Sequence, residues 1–416
     1  MKRIISLFKT STIKDTLISF IGLSFTAGFG FLFTIIMARN LGPENYGVFS
    51  AVLALASIAY NLGDFGISSA LINFIPKLKE KRSVLINTSF WVQMFVAVLC
   101  FVVFIIFSFY NNKIVPNSIP AYLVLAGTLS FNYLLIGYAQ GIFTAERRFW
   151  IFSLSQVIDS SLKIVLIFFL LSLTKLSVST ALAANVISTF FALMLTFSKD
   201  LYFIKPEFDN HFFRKMANFS KWIAFSRVFS VLFSKIDIIL LNLLASSHDA
   251  GIFAAASRVT LLFSLLVSSL NSVINPRFSS FDTKKKVVTY IKKLSLFIGG
   301  IALIMLVCAA FAEQIIWIVF GNSYLEAIPV FQLMTIVMIP FLLSLVTTPA
   351  ILYTYNKPDF FAKTTAAQVV LIIVIEILLI PRFTYQAPII AIGTTNVIIF
   401  IITTLKLKQL INEDRR

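Results

Sequence analysis

Charged residues are scarce in this chain, and acidic residues are scarcer than basic ones. Asp, Glu, Lys and Arg make up 13% of the 416 residues, and only 18 residues are Asp or Glu. Soluble domains have roughly 25% charged residues, whereas the mean hydropathy here is +0.92. The composition therefore excludes an ordinary soluble protein and places the chain in the membrane class.

Cysteine and histidine are also scarce. The two cysteines, Cys100 and Cys308, stand in apolar runs without metal-type spacing, and the two histidines, His211 and His248, stand in predicted loops. This pattern gives no basis for a disulfide framework or a zinc site, so we expect two small buried cysteines and no metal. Because HExxH, GxSxG, Walker A and CxxC patterns are absent, we predict a transporter rather than an enzyme, and no cofactor.

Long apolar runs, in contrast, are abundant. A membrane-spanning helix needs about 20 mostly apolar residues, and polar or Pro/Gly breaks divide the chain into twelve such stretches. The first is longer than the apolar part of a signal peptide, so we interpret it as a retained span. The predicted spans lie near residues 15–38, 47–75, 83–109, 119–145, 150–173, 178–198, 219–244, 250–274, 290–312, 328–352, 361–380 and 388–405.

The net charge of +17 comes from 35 Lys and Arg residues, and their positions decide what it means. With the N-terminus cytoplasmic, Arg39, Lys113, Lys175 and Arg382 fall on the outer side, whereas most of the others fall in inner loops and tails. This asymmetry follows the positive-inside rule. It predicts a multi-pass protein with both termini cytoplasmic and no nucleic-acid partner, while the run DTKKK at 282–286 could attract anionic membrane lipids.

Two short matches indicate an internal repeat. Gly47-Val48-Phe49 aligns with Gly251-Ile252-Phe253, and Pro76-Lys77-Leu78 resembles Pro276-Arg277-Phe278 in the same order. They predict two six-helix halves, residues 1–205 and 206–416, which enter the membrane from the same side as a parallel repeat. Since repeats of this kind place the substrate path between the halves, we expect an all-α polytopic membrane protein with two bundles around a central cavity and transport by alternating access.

Nine charged residues lie inside the predicted spans. At about 2.5 to 3.5 kcal/mol each near a helix centre, nine charges facing lipid would cost on the order of 20 to 30 kcal/mol. They must therefore face protein or a wet cavity. The bases are Lys163, Lys221, Arg227, Lys235 and Arg258, and the acids are Asp64, Asp159, Asp237 and Glu376.

The stretch FSKWIAFSRVFSVLFSKIDIILLNLLA at 219–245 carries four of these charges. On a helical wheel, Ser226, Arg227, Ser230, Ser234 and Asp237 fall within an arc of about 100°. We expect this polar seam to line the cavity. In the same stretch, Lys235 lies outside the arc and Lys221 lies near the interface, where its side chain can reach the headgroups.

The other charges have structural alternatives. Asp159 and Lys163 can pair along their own helix at i, i+4, and Asp64 in NLGDFG can cap a break made by Gly63 and Gly66 instead of binding substrate. Glu376 stands alone in LIIVIEILLI. It could pair with a base on another helix, carry a proton or remain a neutral acid.

The segment ARNLGPENYGVFSAVLALASIAYNLGDFGISSALINFIPK at 38–77 resembles the start of the polysaccharide biosynthesis (Wzx-type) oligosaccharide flippases of the multidrug/oligosaccharidyl-lipid/polysaccharide exporter superfamily. The pattern is Ala-Arg-x-Leu-Gly-Pro, then Tyr-Gly-x-Phe, then Asp-x-Gly. GIFAAASRVTLL at 251–262 is similar to the family's corresponding stretch in the second half.

The resemblance implies transfer of an undecaprenyl diphosphate-linked oligosaccharide to the outer leaflet of the bacterial cytoplasmic membrane, with a polysaccharide polymerase and glycosyltransferases as partners. Fixed cations would offset desolvation of the diphosphate. The candidate ligands are Arg227, Lys235, Arg258 and Lys163. Asp237, Asp64, Asp159 and Glu376 would balance these cations or bind a coupling H⁺ or Na⁺.

Three alternatives remain open from the sequence. A lipid II flippase has similar chemistry, a multidrug exporter would favour an acidic or aromatic cavity, and a non-transporting scaffold has no need of intramembrane charges. For a transporter that rocks between states, we predict hinges at Gly28 and Gly30 in the first span and at Pro340 and Pro349 in the tenth.

The charge asymmetry generates a topology prediction. With Cys100 and Cys308 replaced by alanine, a cysteine at Asn112 should react with a membrane-impermeant maleimide in intact cells, whereas a cysteine at Asn412 should react only after permeabilisation. Labelling of position 412 in intact cells would contradict the cytoplasmic C-terminus.

Overall fold

The computed structural model describes residues 11–173, 176–198, 205–279, 281 and 284–413. In this part of the chain the regular secondary structure is helical throughout. Two compact units are present: the described residues within 1–41 and 48–235 form one, and those within 42–47 and 236–416 form the other. The predicted division into residues 1–205 and 206–416 remains a prediction.

The helices of the first unit follow one another with short connections. Helix α8 contributes its last residues to the second unit. The helices are α1 (Ser11–Gly63), α2 (Ile67–Phe74), α3 (Arg82–Ser108), α4 (Asn111–Ile114), α5 (Pro120–Ala145), α6 (Phe149–Leu173), α7 (Val178–Phe197) and α8 (Asn210–Leu244).

The second unit has a similar helical character. A π-helical turn, Ala350–Thr354, directly follows α13. The helices are α9 (Ser247–Ser279), α10 (Lys284–Ala310), α11 (Ala312–Phe320), α12 (Ala327–Val337), α13 (Ile339–Pro349), α14 (Pro358–Phe383) and α15 (Gln386–Glu413).

Ten helices of the described residues are long and apolar enough to cross a membrane, which confirms the all-α polytopic class. One of them, Ile21–Gly63, has 43 residues, or roughly 65 Å at 1.5 Å per residue. That is about twice the hydrocarbon thickness, and Gly42 interrupts the helix with φ 71° and ψ 169°. Helix α8, with its four charges, is not among the ten, so the count of twelve spans remains a prediction.

The residues proposed as hinges differ in their surroundings. Gly28 and Gly30 lie in continuous helix, with no atom of the described residues within 4 Å of an added Cβ at either position. Pro340 is the second residue of α13, close to the interruption at Met338, and Pro349 ends the helix before the π-helical turn. The two prolines thus coincide with departures from regular α-helix, as expected where the ring removes a backbone donor, while motion at all four positions remains a prediction.

The polar segment before α8 is fixed to α3. Asn87, only 1% exposed, donates to Glu207 at 2.9 Å and accepts from the Lys205 N–H at 3.2 Å. The Trp91 indole donates to the Lys205 carbonyl at 2.9 Å. These contacts hold the segment that precedes α8 against α3.

The two glycines of the repeat lie against each other in the second unit. A Cβ on Gly47 would lie 1.7 Å from the Ser247 carbonyl oxygen, and a Cβ on Gly251 would lie 1.8 Å from the Pro43 carbonyl oxygen. Both are far shorter than any van der Waals contact, so the backbones touch where only glycine fits. Small residues permit this kind of close helix approach in membranes.

We therefore expect Gly251→Ala to destabilise the protein by about 1–3 kcal/mol, the usual cost of overpacking. Thermal unfolding of the purified protein in detergent should show a clearly lower midpoint. Gly299→Ala in α10 is the matched control, because no atom in the described part of the chain lies within 4 Å of its added Cβ. Equal midpoints for the two variants would contradict the close contact.

Candidate functional site

The first component of the site is the break after α1. Phe65 and Gly66 both have positive φ, 43° and 75°, so the chain turns sharply before α2 begins. The Asp64 carboxylate accepts hydrogen bonds from the Gly66 N–H at 3.1 Å, the Ser68 N–H at 3.4 Å and the Ser68 hydroxyl. The predicted capping role of Asp64 is confirmed, and the carboxylate is held by the backbone that it caps.

Arg227 on α8 forms an ion pair with this same carboxylate, through Nη1 and the Asp64 Oδ2 atom. The Asp64 side chain is 8% exposed, whereas that of Arg227 is 34% exposed. Nearby, the Ser220 hydroxyl donates to the Gly66 carbonyl at 3.0 Å, which fixes α8 against the break. The contact joins residues 163 positions apart, and no local sequence pattern signals it.

A second pair lies on α6. Lys163 Nζ donates to Asp159 Oδ2 at 2.7 Å, as the i, i+4 spacing predicts, and to the Tyr133 hydroxyl of α5 at 3.1 Å. The side chains of Lys163 and Asp159 are 13% and 16% exposed. The ring of Tyr60 lies 5.3 Å from that of Tyr133, centroid to centroid. Sequence reasoning missed both tyrosines, because aromatic residues in apolar spans carry no distinctive signal.

The third pair brings two acids together in the second unit. Glu376 on α14 is fully buried, and neither of its carboxylate oxygens has a hydrogen-bond partner among the described residues. Its carboxyl group interacts with that of Asp237, which is partly buried on α8. No base donates a hydrogen bond to Glu376 in the described part of the chain, and its role stays a prediction.

The remaining intramembrane bases lie outside these three pairs. Arg258 is partly buried on α9, with no ion-pair partner among the described residues, and Lys235 is partly buried two residues before Asp237. Lys221 is exposed, its Nζ 6.0 Å from the centroid of the Trp222 ring, which fits the interfacial position expected from its spacing.

The predicted seam of α8 lies on one continuous helix. Ser226, Ser230 and Ser234 are exposed, while Arg227 and Asp237 are partly buried. The hydroxyls are thus accessible along a helix whose two charged seam residues have partners. Within the described residues, no three His, Cys, Asp or Glu side chains converge on a position that could hold a metal ion.

Comparison with known proteins shows which family this all-helical chain belongs to. The model of the polysaccharide biosynthesis protein family matches residues 12–282, which is more than half of the chain. The chain belongs to this family. The family assignment confirms the resemblance carried by the motifs at 38–77.

Relatives of this family member include transporters and flippases. A putative O-antigen transporter of Escherichia coli K12 is 26% identical over 348 residues, covering 80% of this chain and 81% of that protein. A probable low-salt glycan biosynthesis flippase of Haloferax volcanii is 24% identical over 379 residues, covering 88% of this chain and 76% of that protein. The prediction of a transporter rather than an enzyme is confirmed.

Solved structures with the same fold include a lipid II flippase in an inward closed conformation and an inward-facing multidrug transporter. The flippase has a TM-score of 0.71 at 15% identity, with 94% of this chain and 87% of that chain covered. The multidrug transporter has a TM-score of 0.69 at 16% identity, with 95% and 99% covered. Together with the ten candidate spans, this likeness establishes the family member as a multi-pass membrane protein of the transporter fold.

Proposed function

We propose that the protein moves a lipid-linked oligosaccharide, carried on undecaprenyl diphosphate, from the inner to the outer leaflet of the cytoplasmic membrane for surface polysaccharide synthesis. Movement is by alternating access, and both termini are cytoplasmic. Glycosyltransferases would supply this substrate and a polymerase would consume the product. The family match and the flippases and O-antigen transporters among the relatives support polysaccharide precursors over lipid II or drugs.

The observation that carries the proposal is the unequal exposure of the Asp64–Arg227 pair. Asp64 is turned into the protein and is satisfied by Gly66 and Ser68, while a third of the Arg227 side chain remains exposed. A guanidinium has five N–H donors in a planar fork, more than one carboxylate oxygen can use. Arg227 therefore retains donors for a ligand.

A diphosphate matches those donors. Arginine binds phosphate oxygens in pairs, with charge-assisted hydrogen bonds about twice as strong as neutral ones, and it stays charged at every physiological pH. Asp64 balances this charge when no substrate is bound, since an unpaired arginine in a span is costly. Lys235 and Arg258, both partly buried, are the next candidates for contacts with the phosphates.

The acid pair of the second unit supports a coupling role. A buried ionised carboxylate without hydrogen-bond donors is strongly disfavoured, and Glu376 has none among the described residues while it interacts with another acid. Binding of H⁺ or Na⁺ between Glu376 and Asp237 would remove the cost of burying an unpaired carboxylate and the repulsion between the two acids. We propose this pair as the coupling site, with charge balance as the role of Asp64.

Substitution of Arg227 tests the substrate. Arg227→Ala should lower export of surface polysaccharide at least tenfold, because loss of a charge-assisted contact of about 1.5–3 kcal/mol corresponds to a factor of ten or more. Arg227→Lys should rescue export only in part, since it replaces the fork with a point charge. Complementation of a strain that lacks the protein, normalised to its membrane abundance, measures both.

The matched control is Lys221→Ala, on the same helix but exposed, which should export normally. Asp64 keeps its Gly66 and Ser68 donors in Arg227→Ala, so this variant should still fold and insert. Full export by Arg227→Ala at normal abundance would contradict the proposal.

Substitution of the acid pair tests coupling. Asp237→Asn and Glu376→Gln should both abolish the dependence of export on the H⁺ or Na⁺ gradient while retaining binding of the lipid-linked oligosaccharide. Export in vesicles with an imposed pH or Na⁺ gradient measures the first effect, and binding to purified protein the second. Variants that respond to the gradient as the unchanged protein does would exclude this pair as the coupling site.

A further inference from the structure

We infer that the Lys163 cluster, formed by Tyr60, Tyr133, Gln156, Asp159 and Lys163, is a binding subsite for a sugar ring rather than for phosphate. The inference rests on the proposed function and assigns this cluster to the oligosaccharide part of the substrate. All five residues belong to the first unit, on α1, α5 and α6.

Charge argues against phosphate at this cluster. Lys163 is neutralised by Asp159 at 2.7 Å and donates a second hydrogen bond to the Tyr133 hydroxyl. Both charges are mostly buried, at 13% and 16% exposure, so the pair presents almost no net field to an anion. Arg227, in contrast, is 34% exposed. The lysine predicted to bind an anion is thus better suited to a neutral ligand.

Hydrogen-bonding capacity remains on both sides of the cluster. Asp159 Oδ1 and Gln156 Oε1 are buried acceptors without a donor among the described residues. Since the Tyr133 hydroxyl accepts from Lys163, its own hydrogen points elsewhere, and a lysine ammonium has three donors. A group of unused acceptors and donors matches hydroxyls, which donate and accept at once. Both acceptor oxygens are inaccessible to solvent in this structure, so a ligand hydroxyl reaches them only in a conformation that opens the cluster, where it would offset the cost of leaving them unpaired.

The tyrosines complete the match. Their rings lie 5.3 Å apart at an interplanar angle of 37°, and both residues are partly exposed. A sugar ring has an apolar face of C–H groups beside its hydroxyls, so it is amphipathic in the same sense as a tyrosine. The ring faces can cover those C–H groups while the polar atoms bind the hydroxyls.

The orientation of α6 excludes lipid as the neighbour of this cluster. On the 100° helical wheel, Gln156, Asp159 and Lys163 lie opposite Leu154 and Val165, which are 40% and 61% exposed. The exposed apolar face is the lipid face of this candidate span. The three polar residues are nevertheless partly exposed, so the space that they border lies on the protein side of the helix.

Binding to two carriers tests the inference. The probes are the lipid-linked oligosaccharide extracted from the source cells and undecaprenyl diphosphate without sugar, each titrated against purified protein. Gln156→Leu and Tyr133→Phe should weaken binding of the sugar-bearing carrier by about three- to tenfold, the equivalent of one neutral hydrogen bond. Both variants should bind the bare carrier as the unchanged protein does.

Arg227→Ala and Val165→Leu are the reference variants. Arg227→Ala should weaken binding of both carriers, and Val165→Leu, on the lipid face, should weaken neither. Gln156→Leu removes a buried acceptor that has no donor, so its thermal stability should not fall. This separates lost binding from misfolding.

Equal loss for both carriers, or no loss for either, in Gln156→Leu and Tyr133→Phe would overturn the sugar subsite while Arg227 still supports the flippase. If the unchanged protein binds neither carrier, the proposed function fails, and this inference fails with it.

Discussion

The bilayer offers a charged side chain no hydrogen-bond partner, and the arrangement of the intramembrane charges follows from that constraint. Asp64 shows how it is met. Asp64 directly follows α1. Its carboxylate accepts a hydrogen bond from the turn to α2 and forms an ion pair with Arg227 of α8, so one charged group connects three helices. Without it, the left-handed turn at Phe65 and Gly66 would leave N–H groups unpaired, and the arginine would have no counter-charge.

The acids of the three pairs differ in how many hydrogen-bond donors and cations their carboxylates contact. Asp64 has backbone and hydroxyl donors as well as a cation. Asp159 has Lys163 on one oxygen and nothing described on the other, and Glu376 has no hydrogen-bond donor described on either. On the proposed function, this difference in hydrogen-bond donors separates their roles. A fully satisfied acid positions its neighbours, a partly satisfied one can accept a ligand's hydroxyl, and an unsatisfied one favours uptake of an ion.

The sequence predicted the contacts that are local in the chain. The i, i+4 spacing of Asp159 and Lys163 and the Asp-x-Gly break at Asp64 were sufficient, because geometry within a helix turn is nearly fixed. The hydropathy pattern likewise predicted the polytopic all-α class. The partner of Arg227 lies 163 residues away and that of Glu376 lies on another helix, so only tertiary packing decides them. The backbone contact between Gly47 and Gly251 could not be predicted either, although the internal repeat contains both glycines.

An arginine that already has an ion-pair partner is also more selective among anionic ligands. A free guanidinium would bind any anion that reached it, including the single phosphates of bilayer lipids. Arg227 is paired with Asp64, so on the proposed function a ligand must compete with or add to that pairing. This requirement would favour a diphosphate, with its greater charge, over a monophosphate diester. Asp64 would therefore have two effects: it balances the charge of Arg227, and it raises the interaction free energy that a ligand needs in order to bind there. The same ion pair that makes the cation tolerable in the membrane restricts what it accepts.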